Sequence, residues 1–344
     1  MYLTVITTLS CNLRCTYCRV PYYKSEVQFI PKKYFIKAID LLFTSKDRNL
    51  QLELFGGEPL LLPFDYIKEV IEYGENKAKT LNKNIEFLIT TNATMLNKEK
   101  VEYFKNHNIT LITSIDGNPK SHNINRPQLN CKSQTYPLVV KNLPFIFKNQ
   151  INVYAYTVVT PSTIKYIVDS FNNLVNLGFK KIWIMVACGP KYEKKDIINL
   201  KINLDKLIPA AIKALKNKDV AILNIKNWLS PMPLNTELSI DMDGNIASCV
   251  PNVLDYEGRE KYKIAHIEDD NLNIDELHKK RISNTEAIKV LYFLSRNGSL
   301  LPNLKNNIEA GLVFTKFRKK LYKEIKKNNL LKKYEEITKK IGWR

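Results

Sequence analysis

The feature that most constrains this chain is an alternation, through its first two thirds, of short apolar β-branched runs with longer segments of helical period. The runs are 1–9 "MYLTVITTL", 50–55 "LQLELF", 85–91 "IEFLITT", 109–115 "ITLITSI", 151–159 "INVYAYTVV" and 181–187 "KIWIMVA". Between them lie patterns such as "PKKYFIKAIDLLFTS" and "PFDYIKEVIEYGENKAKTL", with proline where a first helical turn tolerates it. Repeated strand–helix units specify a parallel sheet covered by helices. Six consecutive units fit a partial barrel or an open doubly wound sheet, and either places the active site at the carboxyl ends of the strands.

The pattern changes near residue 222. "LNTELSIDMDGNIASCV" reads as two strands around an Asp-Gly turn, a hairpin signal in an otherwise strand–helix chain. The expected division is an α/β domain over 1–220, a hairpin module over 221–282 and a helical segment over 283–344. A chain of 344 residues buries such a core without disulfide staples.

No apolar run approaches the roughly 18 to 20 residues that span a bilayer, and no N-terminal apolar region ends in a small-residue cleavage site. A soluble cytoplasmic protein is expected, and in that reducing compartment clustered thiols are metal ligands or redox groups rather than disulfide halves. The net charge of +19 raises the question of a nucleic-acid partner, but only nine of the 53 basic residues are arginine and the lysines are dispersed. That composition reads as solvated helix faces. The basic C-terminal stretch "KFRKKLYKEIKKNNLLKKYEEITKKIGWR" reads as a surface helix, so neither a membrane nor a nucleic acid is expected as partner.

Three of the six cysteines, Cys11, Cys15 and Cys18, fall within "TTLSCNLRCTYCRVPYY", just past the first run. Three thiolates on one loop can each take one iron of a four-iron four-sulfur cluster, leaving the fourth iron open. The rival readings are a redox pair with a spare cysteine, which needs only C-x-x-C opening a helix, and a zinc site, which usually wants a fourth ligand.

The spacing C-x-x-x-C-x-x-C, with Tyr17 before the last cysteine, resembles the hallmark of the radical S-adenosylmethionine superfamily. The resemblance implies a partial (β/α)6 barrel of TIM type and one [4Fe-4S] cluster on Cys11, Cys15 and Cys18. It further implies reductive cleavage of S-adenosylmethionine to a 5′-deoxyadenosyl radical that abstracts hydrogen from substrate. An electron donor such as flavodoxin or ferredoxin is implied as a partner. "ELFGGEPLL" resembles the family's glycine-rich motif, in which Gly56, Gly57 and Glu58 meet the cofactor's ammonium group. "TTNATML" and "SIDGNPKSHNINRP" resemble the branch of anaerobic sulfatase maturases and other peptide-modifying enzymes. On that resemblance Asn92 and Ser114 lie beside S-adenosylmethionine, Asp116 shapes the site, and Arg126 pairs with the cofactor carboxylate or in a surface ion pair. Val158 and Val159 supply backbone and apolar contact to adenine, and His122 is a further candidate.

"LSIDMDGNIASC" with "YKIAHIEDDNLNIDEL" resembles the start of a SPASM module, which in relatives holds auxiliary clusters on about seven cysteines. Here no cysteine follows Cys249, so a single cluster is expected. Sulfatase maturases place an Asp after that cysteine and this chain has Val250, which disfavours that reaction. Cys249 is a candidate hydrogen donor to a substrate radical, or a small buried residue; Cys131 and Cys188 read as structural. The expected substrate is a peptide, with an acidic leader matching the basic charge, and the expected outcome is epimerisation or cross-linking in peptide natural-product maturation. The alternatives are a small-molecule, nucleotide or nucleic-acid substrate.

Overall fold

A computed structural model of the chain describes residues 1–18, 27–129, 134–226, 236–248, 262–283, 285–287, 289 and 304–339. The elements begin β1 (Tyr2–Thr8), α1 (Lys32–Phe43), β2 (Asn49–Gly56), α2 (Phe64–Thr80), β3 (Asn84–Thr91), α3 (Lys98–Asn106) and β4 (Thr110–Ser114). Three short helices, α4 (Pro119–Asn125), α5 (Tyr136–Val140) and α6 (Leu143–Lys148), precede β5 (Val153–Val159). Then come α7 (Ile167–Leu177), β6 (Lys181–Val186), α8 (Lys194–Lys218) and the two-residue β7 (Ala221–Ile222). All six expected strands are present. Strands β1 to β7 pair side by side in sequence order and in parallel. That order decides for the partial barrel, because a doubly wound sheet reverses its order at a switch point.

The expected hairpin consists of β8 (Leu238–Ile240) and β9 (Asn245–Ser248), antiparallel about a turn where Gly244 has φ +86°. It joins the sheet on the free edge of β1: Thr4 pairs with Ser239 and Val5 with Ile240 in parallel register, and β10 (Ala265–His266) adds beyond β9. Helices α9 (Ile274–Lys279), α10 (Leu304–Lys327) and α11 (Leu331–Thr338) complete the described chain. α10 packs along α8, burying Phe314, Phe317 and Leu321, and Tyr334 of α11 donates to the carbonyls of Ile222 and Leu223. No helix among the described residues is long and apolar enough to cross a membrane.

Strand side chains alternate between two faces. Leu3, Val5, Leu52, Leu54, Phe87, Ile89 and Leu111 point to the helices and form the main core with Phe35, Ile39, Ile67 and Phe104. Each such burial stabilises by about 1.5–3 kcal/mol, so this face carries most of the fold's stability. The opposite face holds a separate belt of Tyr2, Leu88, Ile112, Tyr154 and Leu223, with Tyr156 and Trp183 packed on it. At the amino ends of the strands a polar chain crosses the sheet: Gln51 and Thr110 donate to Glu86, Asn152 donates to Thr110, and Lys181 donates to Asn152. Glu53, one pleat above Gln51, is fully buried and accepts from the hydroxyls of Tyr2, Thr4 and Thr90.

Candidate active site

The cysteine loop leaves the carboxyl end of β1 and is held from two sides. On one side it pairs with the segment after α4. The Arg14 amide donates to the Pro127 carbonyl (2.8 Å), the Thr16 amide to the Asn125 carbonyl (2.9 Å), and the Leu129 amide to the Asn12 carbonyl (3.0 Å). Leu13 bridges Gln128 in the same antiparallel register. Cys15 and Cys18 share a tight turn closed by the Cys18 amide on the Cys15 carbonyl (3.0 Å), while Cys11 Sγ accepts from the Leu13 amide (3.4 Å).

On the other side the loop rests on the glycines after β2. The Gly57 amide donates to the Thr8 carbonyl (2.7 Å) and the Glu58 amide to the Ser10 carbonyl (2.9 Å). A Cβ at Gly57 would lie 2.0 Å from the Ser10 carbonyl oxygen, and one at Gly56, with φ +127°, would lie 2.3 Å from the Thr8 carbonyl oxygen. These glycines therefore let the backbone of β2 touch the root of the cysteine loop.

Glu58 is completely buried, and its carboxylate is engaged by protein groups. Oε1 accepts from the Leu60 amide (3.0 Å) and the Thr91 hydroxyl (2.6 Å), and Oε2 from the Asn92 amide (2.7 Å). It caps the short turn Pro59–Leu61 and clamps the end of β2 to the end of β3. Asn92 is brought to the loop: its Nδ2 donates to Asn12 Oδ1 (2.8 Å) and lies 3.8 Å from Cys11 Sγ, while its Oδ1 accepts from the Thr94 amide and hydroxyl. Asn12 and Thr94 complete this amide network and carry no motif signal that single-sequence reading detects.

Arg126 makes its ion pair inside the protein, not on the surface. It is 4% exposed, and one terminal nitrogen donates to Asp116 Oδ1 (2.9 Å). Its guanidinium also lies over the Tyr17 ring, 5.4 Å from the centroid. Asp116 Oδ1 accepts in addition from the Val158 amide (2.9 Å), and the Val158 carbonyl accepts from Asn125 (3.0 Å), so both backbone groups of Val158 have partners within the protein. Of the two valines expected at adenine, Val159 is packed in the helix-side core and gives its carbonyl to the Ala187 amide. Ser114 ends β4, half-buried, on the same face as Thr110 and Ile112. His122 is buried; its Nδ1 accepts from the Asp116 amide (3.3 Å), and burial holds it well below the usual imidazole range, hence neutral. Four polar atoms here are buried with no partner: Tyr17 Oη, Asp116 Oδ2, Arg126 Nε and His122 Nε2.

Cys188 follows β6, half-buried. Cys131, Cys249 and Val250 lie outside the described residues.

The donor set suits an iron–sulfur cluster. Burial pushes the Cys11 and Cys15 thiols up to about 12, so each keeps its proton near neutral pH until a metal replaces it. Among the described residues no group of three His, Cys, Asp or Glu converges as on a single metal ion. Thiolates that each take a different corner of an iron–sulfur cube have no need to meet at one point.

Comparison with known proteins agrees with this geometry. The family model described as the radical SAM superfamily matches residues 5–201, more than half of the chain. The chain is 26% identical over 287 residues to a cysteine-type anaerobic sulfatase-maturating enzyme of Clostridium novyi, covering 76% of this chain and 74% of that one. It is 31% identical over 212 residues to the uncharacterized protein MJ0907 of Methanocaldococcus jannaschii, covering 59% and 68%. Among solved structures, native anSMEcpe with bound AdoMet and Cp18Cys peptide superposes with a TM-score of 0.69 at 20% identity, over 84% of this chain and 82% of that one.

Proposed function

Because this chain belongs to the radical SAM superfamily, an enzyme family that uses a [4Fe-4S] cluster and S-adenosylmethionine, we propose that it acts on a peptide substrate. Cys11, Cys15 and Cys18 would hold the cluster, which when bound supplies the electron that splits S-adenosylmethionine to a 5′-deoxyadenosyl radical. The observation that carries this reading is the three-thiol loop at the carboxyl end of β1, set on Gly56 and Gly57 and tied to Asn92. The chain's own groups then divide the work. Glu58 holds Asn92 in place, Arg126 and Tyr17 back the loop, and Ser114 with Val158 lines the inner face on which substrate and cofactor meet. Under this proposal the backbone of Gly56 and Gly57 would hold the cofactor amine, while the Glu58 carboxylate stays with its three protein donors.

The peptide assignment draws on likeness to the sulfatase-maturating enzyme and to a fold solved with a peptide bound. It also draws on the net charge of +19, complementary to an acidic leader and to an acidic electron donor such as flavodoxin or ferredoxin. In this reading residues 1–220 make the radical, and 221–282 contribute the substrate side, with Cys249 returning a hydrogen atom in an epimerisation. Sulfatase-type oxidation is the second reading, favoured by the Clostridium novyi relative and opposed by Val250 in place of an acidic proton acceptor. The reading predicts a short peptide encoded beside this protein, and the test is co-expression with such a peptide followed by mass spectrometry. An unchanged mass with a deuterium incorporated in heavy water marks epimerisation, a loss of two hydrogens marks cross-linking or oxidation, and an unmodified peptide contradicts the proposal.

A further inference from the structure

The register between the cysteine loop and the segment after α4 fixes one pair of side chains. With Arg14 on Pro127, Thr16 on Asn125 and Leu13 on Gln128, residue 15 faces residue 126. A cluster ligand thus stands opposite a guanidinium that is almost wholly removed from water. Asp116 anchors the guanidinium from behind, Tyr17 flanks it, and its Nε stays buried with no partner.

We propose that Arg126, held by Asp116, tunes the reduction potential of the cluster through Cys15. The proposal rests on the superfamily reading, which supplies the cluster. On reduction the cluster takes one electron and becomes one unit more negative. A fixed cation opposite one of its ligands stabilises that reduced form, and hydrogen bonds to ligand sulfurs act in the same direction. Asp116 works against its partner: its carboxylate is buried, Oδ2 meets no donor, and it offsets part of the guanidinium charge. Arg126 is therefore a positioning residue acting through Cys15, and Asp116 sets how much of its charge the cluster feels.

The two residues give shifts of opposite sign, which a merely structural role does not. In anaerobically reconstituted full-length protein, titrated with dithionite and mediators and read by the reduced-cluster EPR signal, Arg126→Gln makes reduction harder. The expected change is about tenfold in the reduced-to-oxidised ratio at fixed potential, equal to about 59 mV for a one-electron couple. Asp116→Asn makes reduction easier; its Oδ1 still accepts from Arg126 and Val158, so its bonds survive. Arg126→Lys, keeping the charge, falls between wild type and Arg126→Gln. If Arg126→Gln fails to take up iron, the direction of the Asp116→Asn shift decides. Wild-type potential in Asp116→Asn, or a shift of the same sign in both variants, overturns the proposal. Absence of any cluster signal in the wild type overturns instead the proposed assignment of a cluster to Cys11, Cys15 and Cys18, on which it rests.

Discussion

The α-carbon of Gly57 packs against the carbonyl of Ser10, so closely that a β-carbon there would stand 2.0 Å from the carbonyl oxygen. Ser10 directly precedes Cys11, so the backbone after the second strand sets the position of the first of the three thiols proposed to hold the cluster. Gly57→Ala must push the Ser10 backbone away. The expected result is a folded protein whose iron content after reconstitution falls to a small fraction of wild type, while its far-ultraviolet circular dichroism is unchanged.

Two buried glutamates, five residues apart, respond in opposite ways to the same substitution. Glu58 accepts from two backbone amides, which cannot turn away, so Glu58→Gln directs an amide at one of them and destabilises by about 1–3 kcal/mol. Glu53 accepts only from hydroxyls, which rotate to accept as readily as they donate, so Glu53→Gln carries no such penalty. Denaturant melts of the two variants at neutral pH check the contrast. Equal losses in both contradict it.

The pH dependence of Glu53 has a definite sign. Burial raises its carboxyl above the usual value, so the folded state binds the proton more tightly than the unfolded state. Its contribution is fully present below the ordinary glutamate range and is lost as pH rises through the raised value. Glu53→Gln, always neutral, should match wild type in melting temperature near pH 4 and exceed it near pH 8. A gap that narrows with rising pH contradicts this assignment.

Much of this architecture is legible in the sequence, and the remainder has a common physical reason. The strands and the Asp-Gly hairpin follow from local period and turn chemistry, which a single sequence carries. The pairing of β8 beside β1 and the pairing of 12–16 with 125–129 join residues far apart in the chain, and no local pattern encodes them. The same holds for Glu58: its motif names it, but its three donors come from Leu60 and from Thr91 and Asn92 on the neighbouring strand. Val158 and Val159, adjacent on β5, face opposite sides of the sheet: Val159 packs in the helix-side core and Val158 does not, a division set by strand alternation. β7, with two residues, is too short to leave a period.

If Cys249 returns hydrogen to the substrate, turnover in heavy water leaves one deuterium on the product. Cys249→Ala then consumes S-adenosylmethionine without finished product. Unchanged product from that variant assigns Cys249 to packing.

The central claim is that Cys11, Cys15 and Cys18 carry one cluster that cleaves S-adenosylmethionine. The direct measurement is iron and 5′-deoxyadenosine per chain after anaerobic reconstitution and dithionite reduction, in wild type and in Cys15→Ala. The account predicts about four irons and steady 5′-deoxyadenosine in wild type, with both lost in the variant. Near eight irons per chain contradicts the single cluster, and 5′-deoxyadenosine formed by Cys15→Ala at the wild-type rate contradicts the assignment of the loop.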